Sequence, residues 1–124
     1  MNDVMNNVAI DHLWCGSEFD NKIEDFIRKG FPDAVITPTV WKETNPYHSH
    51  VKLIELKLGV KLILTETCDG SDNYPRRMIV DIYKGIKFAC GAGYIDTKCK
   101  DYEDAVLSQI NDMIVSYYSI EKYI

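Results

Sequence analysis

The chain carries one short pattern twice, as Glu55-Leu56-Lys57-Leu58-Gly59-Val60-Lys61-Leu62 and as Asp81-Ile82-Tyr83-Lys84-Gly85-Ile86-Lys87-Phe88. Each copy reads acid, aliphatic, two loop residues, Gly, β-branched residue, Lys and apolar residue. A glycine free to take the left-handed conformation, set between β-forming residues, is the grammar of a β-hairpin. A three-residue loop ending on that glycine pairs Ile82 with Ile86 and Val80 with Phe88, which keeps the apolar side chains on one face. Shared hairpin grammar explains the likeness more simply than an internal duplication.

Outward from this repeat, residues 34–41, 50–57, 60–67, 77–83 and 86–95 read as strands, because they are rich in β-branched and aromatic residues and are bounded by Gly, Pro and Asn. Thr44-Asn45-Pro46-Tyr47 reads as a turn and Cys68 to Pro75 as a polar loop. Along Ile86–Tyr94 the larger residues alternate with Lys87, Ala89, Gly91 and Gly93. Such a small-residue face predicts a close crossing, a bulge or room for a ligand.

Helices are expected on either side. The first covers 18–29: Ser17 can cap it, Asp20 follows three residues on, and Gly30 with Pro32 stops it. Its inner stripe is Phe19, Ile23, Phe26 and Ile27. The second covers 102–120 from an Asp101 cap, with Val106, Ile110, Met113, Tyr117 and Ile120 at helical spacing, widened by Leu107, Ile114 and Tyr118. So broad a stripe predicts a helix lying across a sheet. Residues 4–14 mix alternation with a helical face, so 1–16 read as irregular or as a short extra helix. The whole predicts a single α+β domain over 1–124: a two-layer sandwich of an antiparallel four- or five-stranded sheet with both helices on one face.

The helix, strands, helix outline resembles that of double-stranded-RNA-binding domains. It departs from them where their final helix begins with basic residues and this chain has Asp101-Tyr102-Glu103-Asp104. A Gly-rich strand followed by Tyr102-Glu103-Asp104-Ala105-Val106 is loosely similar to small phage proteins of helix-sheet-helix type. These residues are too generic to assign a family.

With 124 residues, 46% hydrophobic, and 14 basic against 19 acidic side chains for a net charge of −5, the composition is that of one ordinary soluble domain. It excludes collagen-like, disordered and Cys-scaffold classes. No apolar run approaches the roughly 18 residues of a membrane span. Met1-Asn2-Asp3-Val4 lacks a secretory pattern, and four cysteines without a CxxC pair read as reduced thiols. The expectation is therefore a cytoplasmic protein with no membrane partner and no cofactor. Residues 1–41 hold 3 basic and 7 acidic side chains, 42–100 hold 10 and 7, and 101–124 hold 1 and 5. In a two-layer fold this makes an acidic helical surface and a mildly basic sheet, unless the charges serve only solvation.

Candidate chemistry is sparse. His48-Ser49-His50 places two imidazoles on one side of an extended chain, a spacing that can chelate zinc with help from His12, Cys15, Cys68, Cys90 or Cys99. The simpler reading is exposed histidines after a turn. Cys68 or Cys99 with a histidine base would make a nucleophile. Asp69, Asp72, Asp81 and Asp96 are individual acid, base or metal candidates, although the 69–73 loop lacks a calcium-loop register. P-loop, dinucleotide, zincin and serine-hydrolase motifs are missing from the sequence. Trp41, Tyr47, Tyr74 and Tyr94 fall where aromatic anchors often sit, and Arg76-Arg77 beside Tyr74 is the best single contact patch.

These observations lead to a non-enzymatic acidic protein that binds and inhibits a protein partner through Glu103, Asp104, Tyr74, Arg76 and Arg77. An immunity protein, or a phage inhibitor of a nucleic-acid-binding defence protein, fits this description. The bias of 11 Lys to 3 Arg suits an AT-rich bacterial or phage genome. A nucleic-acid module using Lys52, Lys61, Arg76, Arg77, Lys84 and Lys87 on the sheet is the first alternative, opposed by the net charge. A metal-dependent enzyme around His48 and His50 is the second. A homodimer is compatible with either binding reading.

Overall fold

The computed structural model describes residues 18–44, 47–68, 77–91, 93, 95–96 and 101–124. Phe19, Ile23 and Ile27 recur on one side of α1 (Glu18–Gly30) and are buried. Acids in its first turn and Arg28 and Lys29 in its last complement the helix dipole. Phe31 N–H still bonds to Ile27 O, and Pro32 then ends any continuation.

The first expected strand is divided in two, β1 (Val35–Ile36) and β2 (Val40–Thr44), both antiparallel to β3 (Tyr47–Lys57). Thr37 N–H still donates to Leu53 O, but Pro38 has no N–H and interrupts the ladder. β4 (Val60–Cys68) and β5 (Arg77–Lys84) follow in sequence and in space. The last expected strand is likewise two pieces, β6 (Lys87–Gly91) and β7 (Ile95–Asp96), each pairing with β5. The sheet order is β1-β3-β4-β5-β6, with β2 beside β3 and β7 beside β5.

Both hairpins turn on two residues, which corrects the expected three-residue loop. Lys57 pairs with Val60 around Leu58-Gly59, and Lys84 with Lys87 around Gly85-Ile86. The glycines, at φ +80° and +61°, occupy the second and first turn positions, so the two copies of the repeat are not the same turn. Phe88 consequently pairs with Tyr83 on the outer face and is 56% exposed. A bulge then brings Cys90 opposite Ile82. Small residues serve a different neighbour than expected at Gly91, where any Cβ would collide with Asp81 Oδ1 and the Phe88 ring.

α2 (Tyr102–Ile120) lies against β5, β6 and β7 and ends in a 3-10 turn, Glu121–Tyr123. Asp101 does not cap it through its side chain; the residue is left-handed, at φ 58°, and its carbonyl accepts from Ala105 N–H. Val106, Ile110 and Tyr117 of α2 join Phe19, Ile23 and Ile27 of α1 in one buried cluster with Ile54, Leu62, Leu64, Val80 and Ile82. Strand residues of that cluster alternate with half-buried ones on the opposite face, as one covered sheet face requires. Each fully buried Ile or Leu contributes about 1.5–3 kcal/mol. The fold is thus an α+β sandwich.

The two helices run side by side in the same direction. Phe19 meets Tyr102 edge-on at 5.7 Å near their starts, and Phe31 stacks on Tyr118 at 6.3 Å near their ends. No described helix is long and apolar enough to cross a membrane. Residues 1–17, with the expected Ser17 cap, and residues 45–46, 69–76, 92, 94 and 97–100, with part of the expected turn and polar loop, lie outside the described residues.

Candidate protein-binding surface

Three core-facing strand positions hold polar residues. His50, Lys52 and Glu66 are buried, where alternation alone would place Val or Leu. Lys52 Nζ reaches Asp20 Oδ1 at 2.9 Å and donates to Thr37 O at 3.1 Å. Thr39 Oγ1 donates to the same Asp20 oxygen at 3.2 Å. Glu66 Oε2 accepts from the Tyr102 hydroxyl at 2.8 Å. These bonds tie the first turns of α1 and α2 to the sheet. Burying a charge is tolerable only with such partners.

Burial lowers the His50 pKa from 6.5 to about 4, so the imidazole is neutral at pH 7. Burial first, and then the Glu66 carboxylate, raise the Tyr102 phenol well above the usual tyrosine range. The cluster is closed to solvent at Lys52 and Glu66, which fits an anchoring role better than turnover of a substrate.

That anchor sets the acidic ends of both helices next to each other. Lys22 Nζ bridges to Glu103 Oε1 at 2.8 Å across the helix pair, and the Glu103 hydrogen bond raises the Lys22 pKa. Asp104 stands exposed one residue on, with Asp101 and Asp112 exposed along the same helix and Glu18 and Asp25 on α1. Only Lys122 is basic from residue 101 onward. Of the expected contact residues, Glu103 and Asp104 therefore share this surface.

Arg77 does not join them. It begins β5 on the sheet face that also carries Ile79 and Asp81, opposite the face that α2 covers. Tyr74 and Arg76 lie outside the described residues. The expected basic sheet face holds only in part. Lys52 is buried in the core, Lys61 shares the outer face with Arg77, and Lys84 lies seven residues along β5 from Arg77, roughly 23 Å.

His48 and His50 stand two residues apart on β3, in backbone register with Cys68 and Glu66 on β4, and the side chains of His48 and Cys68 lie outside the described residues. His50 is a buried strand residue, however, and not an exposed one after a turn. Among the described residues no three His, Cys, Asp or Glu side chains are grouped to hold a metal ion. Cys90 is half-buried and its thiol donates toward Met113 O; burial raises its pKa, away from a reactive thiolate. Burial likewise raises the Asp81 carboxyl. An open groove of about 370 Å³ between Gly30–Asp33 and Glu55–Leu58 is lined by no His, Cys or Ser. No family model, curated protein or solved structure matches the chain.

The buried ion cluster was beyond sequence reasoning, since Asp20 comes from α1, Thr37 from the link between β1 and β2, and Tyr102 from α2. The one available signal was a lysine and a glutamate at inward positions of otherwise apolar strands.

Proposed function

We propose that the protein acts by binding, as a small acidic inhibitor of a basic protein partner such as a nuclease or another nucleic-acid-binding protein. An immunity protein or a phage anti-defence protein works in this manner. The observation that carries the reading is the set of exposed carboxylates on two adjacent parallel helices, Asp104 and Asp112 on α2 and Glu18 and Asp25 on α1, where Lys22, Arg28 and Lys29 are exposed beside them. Acids in a first helical turn also offset the helix dipole, which accounts for Glu18, Glu103 and Asp104. Asp25 and Asp112 are exposed well beyond those turns, where the dipole gives no reason for them. A clustered negative surface speeds encounter with a basic partner and selects against acidic ones.

The test is reversible crosslinking in cells that make the protein, followed by identification of what it holds and assay of that protein's nucleic-acid activity. The expected result is a basic partner inhibited at one-to-one stoichiometry. An acidic partner, or a basic one left fully active, contradicts the reading.

A further inference from the structure

At the end of the molecule away from the acidic helix starts, Gly85 N–H donates to Gly59 O at 2.7 Å and holds the two hairpin turns together. Each turn projects one aliphatic side chain, Leu58 at 95% exposure and Ile86 at 98%. The chain end joins them there: Lys84 Nζ bonds to Ile124 O at 2.8 Å and Lys57 to Glu121 at 2.7 Å, which sets the 76% exposed Tyr123 nearby.

Lysines frame both tips. Lys57 and Lys61 flank Leu58, Lys84 and Lys87 flank Ile86, and Lys122 lies over the Tyr123 ring at 5.1 Å. Glu55, Glu121 and Asp33, which lines one groove with Lys57 and Leu58, are the acids beside these five lysines. Lys61 and Lys87 enter no ion pair among the described residues. In a chain of net charge −5, this end is locally basic.

Nearly complete exposure of two adjacent aliphatic tips demands a reason, since two-residue turns normally take Gly, Asn or Asp. Hairpin pairing needs only the glycine of each turn. We propose that the Leu58 and Ile86 tips, with their surrounding lysines, form a peripheral docking surface for an anionic lipid membrane. The shape favours this occupant: the side chains protrude, so a protein partner would need matching pockets, whereas a fluid acyl layer accepts any protruding aliphatic group. The charge favours it too, because anionic headgroups attract lysines close to the bilayer surface. Tyr123 supplies an amphipathic ring of the kind that settles at headgroup level. Such contact lies on the membrane and is separate from spanning it.

The test is co-sedimentation of the full chain with vesicles of phosphatidylcholine, with or without phosphatidylserine. The expected result is binding to the anionic vesicles only, weakened by salt and reduced roughly a hundredfold by the neutral double substitution Leu58→Ser with Ile86→Ser. Both residues are exposed, so the double variant keeps the wild-type melting curve, and Lys61→Glu with Lys87→Glu provides a second route to the same loss. Absence of anionic-vesicle binding at low salt overturns the proposal, as does binding that the serine pair leaves intact. Self-association of the protein that the serine pair abolishes, without vesicle binding, assigns the tips to a protein contact and also overturns it.

Discussion

Tyr102, the first residue of α2, donates its hydroxyl hydrogen to Glu66 Oε2 at 2.8 Å, from the helix to a fully buried position near the C-terminal end of β4. The bond fixes where the final helix starts, and so where Glu103 and Asp104 stand. Tyr102→Phe removes the donor and takes one hydrogen bond from a buried carboxylate. The expected loss is about 1–3 kcal/mol, read as a lower urea midpoint with an unchanged slope.

Lys52 and Asp20 make the other tie between helix and sheet. Asp20→Ala leaves the lysine buried without its carboxylate, at an expected cost of about 3–5 kcal/mol. Joining it to Lys52→Met removes the stranded charge, so the double variant is more stable than Asp20→Ala alone. Equilibrium denaturation of the two variants checks the order.

His50 gives a pH signature. The unfolded imidazole takes up a proton near pH 6.5, but burial holds the folded one neutral until about pH 4. Stability from this group is therefore complete above 6.5 and falls as the pH drops toward 4, by up to about 3 kcal/mol. In urea titrations over that range, His50→Gln is expected to flatten the slope.

Gly91 sits against Asp81 and Phe88 with no room for a Cβ. Gly91→Ala is expected to cost about 1–3 kcal/mol, and Asp81→Ala in the same chain to recover part of it. Additive losses in the double-mutant cycle would show that the two side chains do not share the space.

The helices were legible because periodicity and stop signals agree: the expected 18–29 and 102–120 are observed as Glu18–Gly30 and Tyr102–Ile120. The sheet class was legible from the hairpin repeat. Its register near β6 was not, because Ala89 and Gly91 are too small to signal a face, and the bulge that returns Cys90 to the core leaves no mark in the pattern. The acidic surface could be read from charge counts. Its anchor could not, because a buried Lys or Glu is defined by partners distant in the chain, and the sequence alone suggested exposed histidines where His50 is enclosed.

The most direct test of the binding account is the affinity of the captured partner for the wild-type protein and for Glu103→Lys with Asp104→Lys, measured by titration at two salt concentrations. The account predicts an affinity lower by about tenfold or more in the charge-reversed protein, chiefly through a slower on-rate, with a weaker salt dependence. Equal affinity at both salt concentrations would contradict it.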